Sequence, residues 1–180
     1  MISACCQQGY FNSLVGYRKP LILLFALSLL VACNEGSGFK PKTSVGDKVP
    51  ASEHRTAAEA GSWQKVCTMD RPDQLHKWKI SELRKANKPF LVVFGTPQHC
   101  TMCVDQLRRV ASLQEKYGER FAFLHIDEYR DDAVWVEWGV KGEPWTFIVD
   151  QKGLVRKVFP GPTDLAVMEQ VINEIIKEQS

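Results

Sequence analysis

Two stretches of the chain are nearly uninterrupted apolar runs: PFLVVFG, from Pro89 to Gly95, and FAFLHID, from Phe121 to Asp127. Such runs are typical of strands that are buried on both faces of a sheet. The segment between them has apolar residues at helical spacing, namely Val104, Leu107, Val110 and Ala111, and Tyr117-Gly118 gives it a stop signal. A helix between two strands favours a right-handed parallel crossover, so this region predicts one βαβ unit.

Shorter patterns on either side of this unit predict the remaining elements. ISELRKANK, from Ile80 to Lys88, predicts a short helix that ends before Pro89, and AVWVEWG predicts a second short helix. The segment from Trp145 to Phe159 predicts a β-hairpin whose turn contains Gly153. A last helix is indicated by one apolar stripe: Leu165, Met168, Val171, Ile172, Ile175 and Ile176.

The N-terminal region has the layout of an export signal. Arg18-Lys19 precede the apolar segment LILLFALSLLVA, which Cys33 follows directly. A dozen apolar residues are too few to span a membrane, which takes about 20. The sequence Leu30-Val31-Ala32-Cys33 resembles the lipobox of bacterial lipoproteins, which implies that residues 1–33 are a lipoprotein signal peptide ending at a lipidated Cys33. Two or more acyl chains would then anchor the protein in a membrane. The alternatives are a plain secretory signal and a buried hydrophobic helix.

Residues 34–62 are rich in Gly, Ser, Pro, Lys and Ala and show no apolar periodicity. This composition predicts a flexible tether between the anchor and a folded domain at residues 63–180.

Composition limits the classes of function. The chain has 180 residues, of which 44% are apolar and 24% charged, which is typical of a single globular domain. A net charge of +2 without a basic stripe gives no indication of a nucleic-acid partner.

Removal of the signal and lipidation of Cys33 would leave three free cysteines of the original six: Cys67, Cys100 and Cys103. An exported protein works where disulfides persist, so thiol chemistry fits this compartment.

The pair Cys100-Thr-Met-Cys103 lies where the first apolar run gives way to the predicted helix. A helix start directs free N–H groups at Cys100, which lowers a thiol pKa from about 8.5 to about 3.5–7.5. We therefore expect Cys100 to be the attacking thiolate and Cys103, one turn deeper, to resolve the mixed disulfide. The alternatives are an inert structural disulfide and a Cu(I) site that adds Met102 and His99 as soft ligands. Zinc fits less well, because the chain has no second Cys-x-x-Cys pair.

Three segments together resemble the thioredoxin superfamily over residues 78 to 177: KPFLVVFGTPQHCTMC, GVKGEPWTFIVDQKGLV and the final helix. The resemblance is nearest to exported, membrane-tethered thiol-disulfide oxidoreductases of the TlpA type. It implies an α/β thioredoxin fold, with a central mixed β-sheet flanked by helices. It also implies a catalytic cis-proline at Pro144 and no cofactor beyond the redox-active disulfide Cys100–Cys103. The partners it implies are exported protein thiols or disulfides and a membrane redox partner, on the periplasmic side of a bacterial envelope.

This chain departs from the thioredoxin pattern around the cysteines. Thioredoxins have Trp-Cys-Gly-Pro-Cys where this chain has His99 followed by Cys-Thr-Met-Cys, and their buried acid falls near Val93 here. Glu143 precedes Pro144 where the family often has threonine or an aliphatic residue. We expect Glu143 to raise and His99 to lower the Cys100 pKa, or Glu143 to take over the missing acid's proton transfer. The alternative functions are a Cu(I) metallochaperone for oxidase assembly and a thioredoxin-fold binding module without disulfide exchange.

Other candidate residues have simpler interpretations. Cys67 is interpreted as a small buried hydrophobe, and His54, His76 and His125 as surface or core histidines. The acidic cluster Asp127, Glu128, Asp131 and Asp132 is interpreted as capping of the following helix. Trp145, directly after the proline, is expected in the core or at the border of a partner groove.

Overall fold

A four-stranded mixed sheet forms the centre of the structure, a computed structural model that describes residues 42–179. The strands are β1 (Phe90–Phe94), β2 (Ala122–Ile126), β3 (Trp145–Val149) and β4 (Val155–Pro160). Their order is β2-β1-β3-β4, with β1 parallel to β2 and antiparallel to β3, and with β3 antiparallel to β4. The predicted parallel crossover and the predicted hairpin are both confirmed.

Five helices connect and cover these strands in the described part of the chain: α1 (Ala57–Ala60), α2 (Ile80–Lys85), α3 (Thr101–Tyr117), α4 (Glu128–Trp138) and α5 (Leu165–Lys177). A single 3-10 turn at Trp63–Lys65 follows α1. Helix α3 is the crossover between β1 and β2. Helix α4 begins five residues before the predicted segment, because the Asp127 carboxylate caps its first turn by accepting the Tyr129 N–H.

Alternate residues of β1 serve two cores, one on each face of the sheet. Phe90, Val92 and Phe94 pack with α2 and α4, whereas Leu91 and Val93 pack with α3 and α5. All five β1 residues are fully buried, which explains the continuous apolar run in the sequence. The end of β1 is therefore held from both sides at the point where the chain turns towards the cysteines.

The structure differs from the predicted tether over residues 42 to 62. Val49 is buried in the core, and its N–H donates to the Gly153 carbonyl at 2.9 Å. The Ser52 hydroxyl accepts the Trp138 indole N–H at 2.9 Å, and a Thr56–Glu59 capping box starts α1. Backbone groups and small polar side chains make most of these contacts, so the segment packs on the domain without any apolar periodicity.

The predicted signal peptide with Cys33, and residues 34 to 41 of the predicted tether, lie outside the described residues. None of the helices between residues 42 and 179 is both long enough and apolar enough to cross a bilayer.

Candidate active site

Cys100 and Cys103 form a disulfide at the start of α3, with their Cα atoms 5.2 Å apart. Cys100 is the N-cap residue, and the Cys103 N–H donates to Cys100 Sγ at 3.1 Å. Cys100 is 9% exposed, whereas Cys103 is completely buried. The structure places Cys100 at the helix start, where it keeps a small exposed area, and Cys103 one turn deeper.

Gly95 allows the backbone after β1 to pass directly against Cys103. A Cβ atom at position 95 would lie 3.1 Å from both Cβ and Sγ of Cys103, closer than most side chains tolerate. The neighbouring Thr96 carbonyl accepts the Cys100 N–H at 3.1 Å. These contacts fix the disulfide against the end of the central strand.

The loop before β3 brings Glu143 and Pro144 to the disulfide. The Glu143–Pro144 peptide is cis, as predicted, and the Pro144 carbonyl accepts the Gly161 N–H at 2.8 Å. A carboxylate oxygen of Glu143 and the two cysteine sulfurs all lie within 4.8 Å of one another. Glu143 is therefore the acidic side chain that the structure places at both sulfurs.

His99 and Glu143 contact each other as well as the cysteine turn. Glu143 Oε1 lies 2.5 Å from His99 Nε2, and Oε2 accepts the Thr96 N–H at 2.5 Å. The His99 side chain is 46% exposed and that of Glu143 17%. The His99 ring also packs against Tyr129 at 5.3 Å between centroids. Because both carboxylate oxygens already accept hydrogen bonds, the Glu143 charge is held in a fixed position.

Val93, where the family's buried acid would fall, is fully buried and lies between His125 of β2 and Thr146 of β3 in the sheet register. His125 donates from Nε2 to the Gly95 carbonyl at 2.8 Å, and this contact leaves Nδ1 as the acceptor nitrogen. Burial lowers the pKa of His125, which keeps the imidazole neutral.

Sequence reasoning missed Gln106, which lies one turn after Cys103 and is fully buried. Its amide nitrogen donates to Thr146 Oγ1 at 3.2 Å, and its oxygen accepts the Thr163 N–H at 2.9 Å. Gln106 therefore connects α3 to β3 and to the segment before α5. The only signal for it in the sequence is a polar residue next to Leu107 on an otherwise apolar helix stripe.

A second cluster, which we call the Cys67 cluster, consists of Cys67, His76 and His125. His125 Nδ1 lies 3.6 Å from Cys67 Sγ and 3.1 Å from His76 Nε2, and all three side chains are buried. Cys67 is a free cysteine, and burial raises the pKa of its thiol to about 12. Burial also lowers the pKa of His76 well below its ordinary value. The expectation of a buried Cys67 is confirmed, but its histidine neighbours were not foreseen.

Three other candidates from the sequence, Asp127, Trp145 and His54, make structural contacts. Asp127 caps α4 and also accepts the Thr68 N–H at 2.7 Å, so it joins that helix to the segment after Cys67. Trp145 is buried in the core at 4% exposure. His54, also buried, lies with Nε2 3.0 Å from the Trp78 carbonyl.

An open cavity of about 630 Å³ lies beside the disulfide. One wall is the segment from Thr68 to Arg71, and the other is formed by Pro97, Gln98, Val104 and Arg108. The Gln98 N–H donates to Thr68 Oγ1 at 3.2 Å, which connects the two walls. The cavity offers both polar and apolar surface, and Gln98 and Val104 in its lining stand on either side of the cysteine pair in the sequence.

A family model described as a thioredoxin-like domain matches residues 77–176 of the chain. The matched region contains the whole sheet, the disulfide and the cis-proline loop. The chain belongs to the thioredoxin-like domain family. This membership and the mixed sheet flanked by helices confirm the predicted α/β thioredoxin fold.

A curated relative, the thiol:disulfide interchange protein DsbE of Allochromatium vinosum, is 34% identical over 65 residues. These residues are 36% of this chain and 35% of DsbE, so the similarity spans about a third of that relative. Among solved structures, a mutant thioredoxin from Halobacterium salinarum is 21% identical with a TM-score of 0.48, over 54% of this chain and 82% of its own. Fasciola hepatica thioredoxin is 20% identical with a TM-score of 0.46, over 52% and 89%.

Proposed function

We propose that this chain is an extracytoplasmic thiol-disulfide oxidoreductase that exchanges disulfides with exported proteins through Cys100 and Cys103. The observation that carries the proposal is the asymmetry of the pair, in which Cys100 reaches the surface at a helix start and Cys103 is completely buried. Membership of the thioredoxin-like domain family and the similarity to a thiol:disulfide interchange protein support it.

In the reducing direction, the Cys100 thiolate attacks one sulfur of a partner disulfide. One partner sulfur leaves and takes up a proton, and a mixed disulfide joins Cys100 to the other. The Cys103 thiol then loses its proton, and its sulfur attacks Cys100 Sγ. The second partner sulfur leaves as a thiol, so the partner gains two electrons and two protons while this chain ends as the disulfide. The reverse sequence oxidises a dithiol partner.

The surroundings of Cys100 assign roles to three further residues. The cis Glu143–Pro144 peptide comes next to the Glu143 carboxylate that lies near both sulfurs, and we propose that its backbone aligns the partner chain beside Cys100. The negative charge of the Glu143 carboxylate disfavours the thiolate form of Cys100, whereas a protonated His99 favours that form. The open cavity beside the disulfide offers space for a partner side chain.

The direction of exchange in the cell depends on the reduction potentials of this pair and of its partners. A difference of about 30 mV corresponds to about 1.4 kcal/mol for this two-electron couple. We propose that the protein acts as a reductant in cytochrome maturation or a similar envelope pathway. A membrane redox partner would then reduce the Cys100–Cys103 disulfide again.

We also propose that the mature protein is a lipoprotein attached through Cys33 on the periplasmic side of a bacterial membrane. Mass spectrometry of the mature N-terminus tests this directly, with an expected N-terminal Cys33 that carries acyl chains. An unmodified N-terminus, or a chain that retains residues 1–32, would contradict the anchor without affecting the redox proposal.

A trapping experiment tests the exchange reaction and the two cysteine roles together. The Cys103→Ser variant keeps the attacking thiol and lacks the resolving one, so it should accumulate mixed disulfides through Cys100. The matched control is Cys100→Ser, which should trap few partners because Cys103 is buried. Non-reducing electrophoresis and mass spectrometry of the trapped complexes provide the measurement.

The alternatives predict different results. Equal trapping by Cys100→Ser would reverse the two roles, and no turnover of any protein disulfide by the parent would favour a binding module. Tight stoichiometric Cu(I) binding by the reduced pair that also needs a histidine or methionine would favour a metallochaperone. Glu143, the further candidate metal ligand near the two sulfurs, supplies a hard oxygen that suits Cu(I) poorly.

A further inference from the structure

The Cys67 cluster lies on the other side of Gly95 from the disulfide and has no part in the proposed exchange. Its members come from three separate elements: Cys67 follows the 3-10 turn, His76 precedes α2, and His125 lies in the middle of β2. Cys67 Sγ, His76 Nε2 and His125 Nδ1 all lie within 4.8 Å of one another. Three groups that ligate metals thus converge inside the core of a thioredoxin fold.

The measured distances match those of a metal site. With Zn–N bonds of about 2.0–2.1 Å and a Zn–S bond of about 2.3 Å, a tetrahedral ion holds two nitrogens about 3.3 Å apart and nitrogen and sulfur about 3.6 Å apart. The corresponding distances are 3.1 Å between the imidazole nitrogens and 3.6 Å between His125 Nδ1 and Cys67 Sγ. An ion therefore fits between these atoms with shifts of a few tenths of an ångström.

Hydrogen bonds from the surrounding residues orient His125 and stabilise a Cys67 thiolate. His125 donates Nε2–H to the Gly95 carbonyl at 2.8 Å, the outer contact that typically orients a metal-ligating histidine. Its Nδ1 accepts a hydrogen bond from His76 Nε2 at 3.1 Å, and a metal ion bound between the two nitrogens would replace this hydrogen bond. The Met69 N–H donates to Cys67 Sγ at 3.3 Å and would stabilise a thiolate there.

Asp73 supplies an independent observation. Its Oδ1 accepts the Leu75 N–H at 2.7 Å, but its Oδ2 is buried and has no hydrogen-bond partner within residues 42–179. The Asp73 charge acts on both Cys67 and His125. A buried carboxylate oxygen without a donor is costly, and burial raises the pKa of Asp73; a cation nearby would favour the charged carboxylate. With the Cys67 thiolate, Asp73 would balance the charge of a divalent ion.

We propose that Cys67, His76 and His125 bind one d10 metal ion, Zn(II) or Cu(I), at a site separate from the redox pair, with the Asp73 charge nearby but outside the ligand set. Binding releases the Cys67 thiol proton to solvent and changes no oxidation state. Nitrogen and sulfur ligands suit both ions, whereas the nearby carboxylate charge favours the divalent zinc ion. Thr68 and Met69, which follow Cys67 directly, line the open cavity.

The test uses the full chain with the Cys100–Cys103 disulfide kept oxidised, so that this pair cannot bind metal. Zn(II) and Cu(I) are each titrated in competition with a chromophoric chelator, in the parent and in Cys67→Ser, His76→Gln and Asp73→Asn. His54→Gln is the matched control, because this buried histidine lies outside the cluster. Cysteines before residue 42 are present in every protein compared.

The proposal predicts one ion per chain in the parent and in His54→Gln. Affinity for the bound ion should fall at least about 100-fold in Cys67→Ser and His76→Gln, more than the loss of an outer contact typically causes. Asp73→Asn removes a nearby charge but no ligand, so its loss of affinity should be smaller than that of Cys67→Ser.

Absence of stoichiometric binding by the oxidised parent would overturn the proposal, and so would equal affinity in Cys67→Ser. If the variants fail to fold, X-ray absorption of the metal-loaded parent still decides. The proposal requires one sulfur and two imidazole ligands, and any other ligand set overturns it. Disulfide exchange by the protein is unaffected by either result.

Discussion

Cys100 and Cys67 belong to the same domain, but their environments differ in every property that controls a thiol. Cys100 caps a 17-residue helix, reaches the surface and has a second cysteine three residues away. Cys67 follows a single 3-10 turn, is 1% exposed and has two neutral histidines as neighbours. A helix start stabilises a thiolate, whereas burial among neutral groups destabilises it. The difference shows that local backbone geometry and solvation, more than residue type, assign one cysteine to exchange and the other to the core.

The largest expected difference between the two regions is in their reactivity. In the reduced protein at pH 7, an alkylating reagent should modify Cys100 rapidly and leave Cys67 unmodified until the chain is denatured. A pKa of about 12 leaves only about 10⁻⁵ of Cys67 as thiolate at that pH. Peptide mapping by mass spectrometry over time measures the two rates separately. Modification of Cys67 at a rate within tenfold of that of Cys100 would contradict the predicted difference in thiol reactivity.

A second test separates stability from activity. Cys67→Ala should lower the free energy of unfolding by about 1–2 kcal/mol, because it removes a buried sulfur and leaves the Met69 N–H without its acceptor. Exchange activity should stay within a few-fold of the parent, since the proposed exchange uses only Cys100 and Cys103. Urea unfolding of the reduced protein in the presence of a chelator gives the first quantity, and a protein-disulfide reduction assay gives the second.

The matched variant for that test is Cys100→Ala, which should affect exchange activity more than the free energy of unfolding. Exchange should disappear, while the unfolding free energy of the reduced protein should change less than in Cys67→Ala, because Cys100 is 9% exposed and Cys67 only 1%. A large loss of activity in a folded Cys67→Ala protein would make Cys67 a participant in the reaction.

The two regions also differ in how far the sequence predicted them. The redox turn was predicted because its signals are local: an apolar strand, two cysteines three residues apart at a helix start, and a proline before a hairpin. The Cys67 cluster was not predicted, because residues 67, 76 and 125 meet only through the tertiary fold. His125 within the apolar run FAFLHID was the one local sign of a buried polar contact.

The same distinction explains the segment from residue 42 to 62. It joins the domain through backbone hydrogen bonds such as that from Val49 to Gly153 and through single side chains such as Ser52. Neither kind of contact produces a periodic pattern, so composition alone indicated a tether. Gln106 is a similar case, since three of its four hydrogen-bond partners come from distant parts of the chain.

The smallest effect, and the sharpest test of what sets the reactivity of Cys100, concerns the pair His99–Glu143. Glu143→Gln removes a negative charge near the sulfurs and should lower the Cys100 pKa. His99→Ala removes the imidazole, which offsets this carboxylate when it is protonated, and should raise the Cys100 pKa. The pair is partly exposed, so each effect is worth about 0.2–1 kcal/mol, or at most about a fivefold change in thiolate fraction. The pH dependence of Cys100 alkylation in the reduced protein measures both changes.

The double variant decides whether the two residues act as a unit. Because Glu143 Oε1 lies 2.5 Å from His99 Nε2, each charge mainly compensates the other, and removing both should return the Cys100 pKa close to that of the parent. The two single effects would then be opposite in sign and would largely cancel, as expected for groups in direct contact. Glutamine at position 143 can still accept the Thr96 N–H, so the variant changes the charge while keeping the loop in place. If neither single variant changes the pH profile, the start of α3 and its backbone N–H groups set the reactivity of Cys100 alone.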